Sequence, residues 1–172
     1  MAIAPGAEGM ECPDKQCNPS AAMSRHLAIL ALAAALAACA LTVRVVDGET
    51  IIAGTTHYRL WGIDAPGMHQ VCADGWPAGM EARLALEALV SGRRIVCESR
   101  GYDPYRRIYG QCRADGQDLG AAMVTAGMAW ASVSHSRAYV GIEQDARDEG
   151  RGLHAHDCSP PSDLDQSAMN IR

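Results

Sequence analysis

At 172 residues, with 48% apolar side chains, no phenylalanine and a formal charge of −5, the chain has material for one core plus an additional segment. The acidic balance disfavours tight non-specific coating of nucleic acid, which draws on a basic surplus. Lys15 is the sole lysine, so phosphate contacts in the domain proper fall to arginines, whose forked guanidinium suits them.

Residues 1–22 have no hydrophobic period and read as a leader outside the fold, disordered or belonging to an upstream start, with Met23 as the true start. Residues 23–39 pair a short basic stretch, Arg25 and His26, with an apolar run from Leu27 to Ala38. The run is too short to span a bilayer and suits a signal peptide, with a buried helix as the alternative. Leu36 to Cys39, "LAAC", also matches the pattern cut before a lipidated cysteine. Export follows either way, to the periplasm or outside, with a membrane tether through lipid on Cys39 or with plain cleavage. Cys39, Cys72, Cys97, Cys112 and Cys158 remain beyond Ala38. If Cys39 carries lipid, four are left, enough for two disulfides in an oxidising compartment.

The domain is expected over residues 40–158. "LTVRVVDGETIIAG" alternates Leu41, Val43 and Val45 with polar residues, turns at Asp47-Gly48 and resumes as a second strand. "YRLWGI" is a third. A helix is predicted from about Met80 to Ser91, with Ala82, Ala85, Leu86 and Leu89 on one face. "RRIVCES" and "RIYGQCRA" are strands joined by "RGYDPYR". Pairing them antiparallel brings Cys97 opposite Cys112 for a disulfide, leaving Cys72 with Cys158. Asp118 caps a second helix with Leu119, Ala122, Met123 and Ala126 on its face. A third covers about Arg137 to Glu149, with Tyr139, Ile142 and Ala146 inward, and residues 159–172 form a flexible tail. This order, β-β-β-α-β-β-α-α, predicts an α+β fold built on a five-stranded Greek-key OB barrel.

Five short motifs run in order: "VDGET" (46–50), "RLWGIDAPG" (59–67), "DPYRR" (103–107), "GMA" (127–129) and "YVGIEQDARDEGRGLH" (139–154). Together they resemble the staphylococcal nuclease (thermonuclease) family over about residues 41–155. The resemblance implies calcium-dependent hydrolysis of phosphodiesters in single-stranded or flexible DNA and RNA, by a monomer. Glu49 and Asp64 would hold Ca²⁺ with the backbone carbonyl of Ala65, and Arg59 and Arg107 would clamp the phosphate. Such chemistry suits these residue types: a hard cation takes clustered oxygen ligands, and two guanidinium forks neutralise charge as it builds. Tyr105 and Arg106 are candidate substrate contacts. Asp47 either caps its own turn or supports the metal from behind.

Three departures fall on this machinery. Position 49 is glutamate where the family has aspartate, and position 106 is arginine where it has glycine. Position 67 is glycine where the family has the glutamate that handles the attacking water. His69 and Glu81 are the nearest downstream candidates to replace it, although each also reads as an ordinary solvated residue. Trp61 and Trp130 read as packing, and the histidines and cysteines lack zinc-site spacing. The sequence thus predicts an impaired nuclease or, alternatively, an inactive OB module that binds nucleic acid or a protein partner.

Overall fold

The computed structural model describes residues 43–103 and 105–160. The leader, the signal segment, Cys39 and the tail beyond residue 160 lie outside them.

The strand β1 (Val43–Val45) and β2 (Thr50–Ala53) pair antiparallel across the "VDGE" turn. Asp47 shapes that turn by accepting the Glu49 N–H at 3.0 Å. Glycine is required at position 48, because a Cβ there would stand 2.7 Å from the Ala82 Cβ and 2.9 Å from the Ala65 Cβ. Strand β3 (Thr56–Leu60) pairs antiparallel with β2, setting Arg59 opposite Thr50. The chain then turns at Gly62, at φ +80, with the Tyr139 ring where a side chain would be. The predicted "YRLWGI" strand is therefore two elements, since β4 (Ile63–Asp64) leaves the main sheet and pairs with β8 (Trp130–Ala131).

Helix α1 (Ala78–Val90) begins two residues earlier than predicted and buries Ala82 and Leu86. Strands β5 (Ile95–Tyr102) and β6 (Ile108–Ala114) pair antiparallel with Cys97 opposite Cys112, and the two cysteines are joined by a disulfide. A bulge between Ser99 and Tyr102 carries β5 further than the sequence indicated, into the expected loop. Strand β6 also runs parallel to β3, with Arg59 beside Tyr109. The main path is β1-β2-β3-β6-β5, with the two-residue β7 (Gln117–Asp118) on β6. This mixed sheet with its helices is an α+β arrangement consistent with an OB-type fold. Among the described residues no ladder joins β1 to β5 to close a barrel.

Helix α2 (Leu119–Thr125) is capped by Asp118, which accepts the Ala121 N–H at 3.0 Å. Its buried face is Leu119, Gly120, Met123 and Val124, whereas Ala126 is exposed. The apolar stripe is rotated from the predicted one because Tyr139 packs over Gly120. Helix α3 (Val140–Asp148) is shorter than predicted, and Tyr139 precedes it with its hydroxyl donating to Asp118. Burial and the Asp118 charge push the Tyr139 phenol far above its ordinary range. Ile51, Leu60, Leu86, Leu119 and Met123 fill the core between sheet and helices.

Candidate active site

The turn at Asp47–Gly48 delivers Glu49 to the end of β2, and Leu60 N–H donates to the Glu49 carbonyl at 2.7 Å. This backbone bond locks Glu49 beside Arg59 on the neighbouring strand. The Arg59 Nη2 donates to Oε2 of Glu49 at 3.2 Å and to Oδ1 of Asp64 at 3.0 Å, so one guanidinium lies between two carboxylates. Its Nε lies 2.8 Å from Oε1 of Glu49, yet the buried N–H has no aligned acceptor. Ala65 meets the same group through its N–H, which donates to Oε2 of Glu49 at 3.1 Å.

The electrostatics follow from partial burial. Loss of solvent pushes the Glu49 carboxyl up from its ordinary value, opposed by Arg59 and the Ala65 N–H. Burial lowers the Arg59 pKa, but the two carboxylates outweigh it and the net shift is upward, so the guanidinium stays charged. Asp47 accepts the Glu49 N–H, its one hydrogen bond to the site among the described residues, and its charge adds to the upward push on the Glu49 carboxyl.

Arg107 belongs to a second cluster. The fully buried Asp103 carboxylate accepts the Tyr105 N–H at 2.9 Å and the Arg107 N–H at 2.8 Å, and its Oδ2 lies 2.5 Å from the Arg107 Nε. Burial raises the Asp103 pKa, but these donors outweigh it and hold the carboxyl below its ordinary value. Among the described residues no ion pair joins Arg107 to Glu49 or Asp64. The strand register relates the clusters instead. Strand β6 begins directly after Arg107 and runs beside β3, and the Arg59 guanidinium lies 5.8 Å from the Tyr109 ring. Tyr105 is exposed, with the Arg107 guanidinium 5.7 Å from its ring.

Position 67 is exposed, and a Cβ there would meet nothing within 4 Å. Its loop is anchored on both sides: Gly67 N–H donates to Gln70, and Gln70 donates to the Ser159 carbonyl at 2.8 Å. Cys72 is disulfide-bonded to Cys158, and His156 stacks on Trp76 while facing Asp74. Among the described residues, His69 and Glu81 make no side-chain hydrogen bond to Glu49, Arg59 or Asp64. Trp130 is buried, whereas the partly buried Trp61 lies under Arg100.

Sequence reasoning missed the role of Asp103 as the holder of Arg107, although "DPYRR" contains it. It also missed Tyr109 and His135, whose rings lie 4.6 Å apart. Ser132 Oγ sits 2.9 Å from the His135 Nδ1, fixing that ring. The alternation of Arg107 and Tyr109 was the available signal for the tyrosine. Nothing local in "WASVSHS" announces the histidine.

The family model described as staphylococcal nuclease homologue matches residues 57–156. The chain belongs to that family. The match includes Arg59, Asp64 and Arg107 and begins after Glu49. The chain is 34% identical over 116 residues to the succinoglycan biosynthesis protein ExoI of Rhizobium meliloti, covering 63% of the chain and 61% of that protein. It is 33% identical over 128 residues to Protein ParB of Escherichia coli, covering 64% of the chain and 69% of that protein. An uncharacterized endonuclease of Haemophilus influenzae is 30% identical over 120 residues, covering 66% of the chain and 64% of that protein. The chain thus spans less than two thirds of the first and third of these relatives.

Proposed function

We propose that the domain binds the phosphodiester of DNA or RNA with the help of Ca²⁺ and hydrolyses it slowly. The observation that carries this reading is the Arg59 guanidinium held between Glu49 and Asp64. Two carboxylates reaching one position define a place for a cation, and hard oxygen donors fit calcium. Among the described residues no group of three or more acidic, histidine or cysteine side chains is poised around a metal position. A calcium site here therefore rests on Glu49, Asp64, the Ala65 carbonyl and water. Calcium supplies positive charge against the phosphate and orients the attacking water.

The chain's own residues do the rest. Arg59 turns part of its fork to the phosphate. Arg107, already held by Asp103, offers its remaining donors to the charge that builds on the phosphoryl oxygens. Tyr105 and Arg106 stand beside it for the flanking strand. Position 67 offers no carboxylate to take the water's proton, and loss of a general base lowers rate by ~10²–10⁴. That same glycine favours the second reading, an OB module that binds without cutting. A calcium titration combined with DNA degradation, run beside Arg107→Ala, tests both. Binding and slow cutting, both weakened in Arg107→Ala, support the proposal. Binding without cutting supports the second reading, and no binding contradicts both.

The two disulfides fit an oxidising environment. We further infer export of a monomeric domain, by plain signal cleavage or with a lipid tether on Cys39.

A further inference from the structure

Next to the Asp64–Ala65 corner, a small apolar cluster stands apart from the main core. Cys72, Ala78, Trp130 and Leu153 are buried in it, with Trp76 and Cys158 packed alongside. Trp130 is the register partner of Asp64 on the β4–β8 ladder. A pair of two-residue strands is marginal by itself, so the packing around Trp130 helps to fix Asp64.

The Cys72–Cys158 disulfide is part of that cluster and joins residues 86 apart. Polar contacts accompany it between the 67–76 loop and the segment after α3. Ala73 N–H donates to the Asp157 carbonyl at 3.0 Å, Gln70 to the Ser159 carbonyl at 2.8 Å, and His156 faces Asp74. These lie at the surface, where competition from water leaves each of them weak. The covalent bond is the strong tie.

The two disulfides differ in how they are held. Cys72 and Cys112 are buried, and Cys97 and Cys158 are half-buried. Cys97 is fixed in the β5–β6 ladder with paired residues on both sides. Cys158 lies in irregular chain beyond the turn at Gly152–His154. An attacking thiolate needs access to a sulfur, which irregular chain grants by local opening far more readily than a ladder does.

We propose that Cys72–Cys158 is a redox switch for the Asp64 corner, opened by a dithiol reductant and closed by oxidation. A reductant thiolate attacks the Cys158 sulfur and forms a mixed disulfide, expelling the Cys72 thiolate, which takes up a proton. The second thiolate of the reductant attacks its partner sulfur in the mixed disulfide and releases the Cys158 thiolate, which takes up another proton. The protein gains two electrons, and the reductant leaves as its own disulfide. The main core and Cys97–Cys112 keep the rest of the fold, so opening is confined to the 67–76 loop, the segment around Cys158 and the β4–β8 ladder. One consequence rests on the phosphodiester reading above: the open form, with Asp64 loosely placed, binds calcium more weakly.

The test treats the whole protein with increasing dithiothreitol, alkylates free thiols and locates them by peptide mass spectrometry. Hydrogen exchange and calcium calorimetry are measured on the same samples. Cys72 and Cys158 are expected to label about tenfold or more faster than Cys97 and Cys112. In the half-reduced protein, exchange of the β4 and β8 amides should rise about tenfold while β5 and β6 stay protected, and calcium affinity should fall about fivefold. Oxidised glutathione should restore both. Cys72→Ser combined with Cys158→Ser should show the open-state values with or without reductant. Equal or absent labelling of the two pairs, or unchanged β4–β8 exchange after selective reduction, would overturn the switch while leaving the phosphodiester reading intact. Loss of protection in β5 and β6 as well would also overturn it, as general unfolding. Failure of the oxidised protein to bind calcium would contradict the calcium reading, with labelling and exchange still deciding the switch.

Discussion

Arg59 is seated on Glu49, with Nε 2.8 Å from Oε1 and Nη2 donating to Oε2 at 3.2 Å. The guanidinium therefore occupies the position in which a cation would meet both Glu49 and Asp64, and the two must compete. Replacing Arg59 by methionine frees both carboxylates. Calcium affinity measured by calorimetry should then rise by about fivefold, equivalent to the ~1 kcal/mol of an ion pair at this exposure. Nucleotide binding should fall in the same variant. Weaker calcium binding on removal of Arg59 would mean that the arginine does not compete with the ion.

Asp103 predicts a pH effect. Its folded-state pKa is lowered below 3.8 by the donors of Arg107 and Tyr105, against the upward pull of burial. The stabilisation is fully present above the unfolded value and is lost as pH falls through the folded one. Asp103→Asn should therefore be less stable at pH 7 by about 1–3 kcal/mol, the range for charge-assisted hydrogen bonds. The gap should close as pH drops below 3.8, which thermal melts across that range would show. A gap that persists in strong acid would place the loss elsewhere.

The hairpin disulfide is a separate stability element. Cys97 and Cys112 enclose a 15-residue separation, for which chain entropy gives roughly 3 kcal/mol. The double alanine variant should lose about that much in urea unfolding while keeping the β5–β6 register. Cys72–Cys158 spans 86 residues and ties the loop behind Gly67 to the C-terminal segment. Breaking that bond alone should increase hydrogen exchange across residues 67–76 more than in β5 and β6. Uniform protection in the two regions would show that Gln70 and His156 hold the loop without it.

The strand order was legible because β1 to β3, β5 and β6 carry alternating or apolar runs bounded by turns. The paired Cys97 and Cys112 followed from the same register. The β4–β8 ladder was not legible, since two residues per strand are too few for a period and the pairing is long-range. The rotated face of α2 was set by Tyr139, about twenty residues away, which local spacing cannot encode. At the site, Arg59, Glu49 and Asp64 were named from the family resemblance carried by the motifs, and the structure brings them together. The Asp103–Arg107 pair escaped notice because an aspartate before proline reads as turn chemistry, which it also is.

Position 67 carries the central claim. Glycine is not required there by backbone angle or by packing, because a Cβ would meet nothing within 4 Å. A glutamate fits the space and restores the carboxylate next to the Asp64–Ala65 corner. On the proposed function, the effect of Glu49→Asp should be coupled to it rather than independent, since both positions would act on one metal-water unit. The most direct measurement is the rate of calcium-dependent DNA hydrolysis by the protein and by Gly67→Glu, side by side, with oligonucleotide affinity measured for each. The account predicts similar affinities and a rate about 10²-fold or more higher in the variant. A wild-type rate that the new carboxylate fails to improve would contradict it and place the general base on another residue.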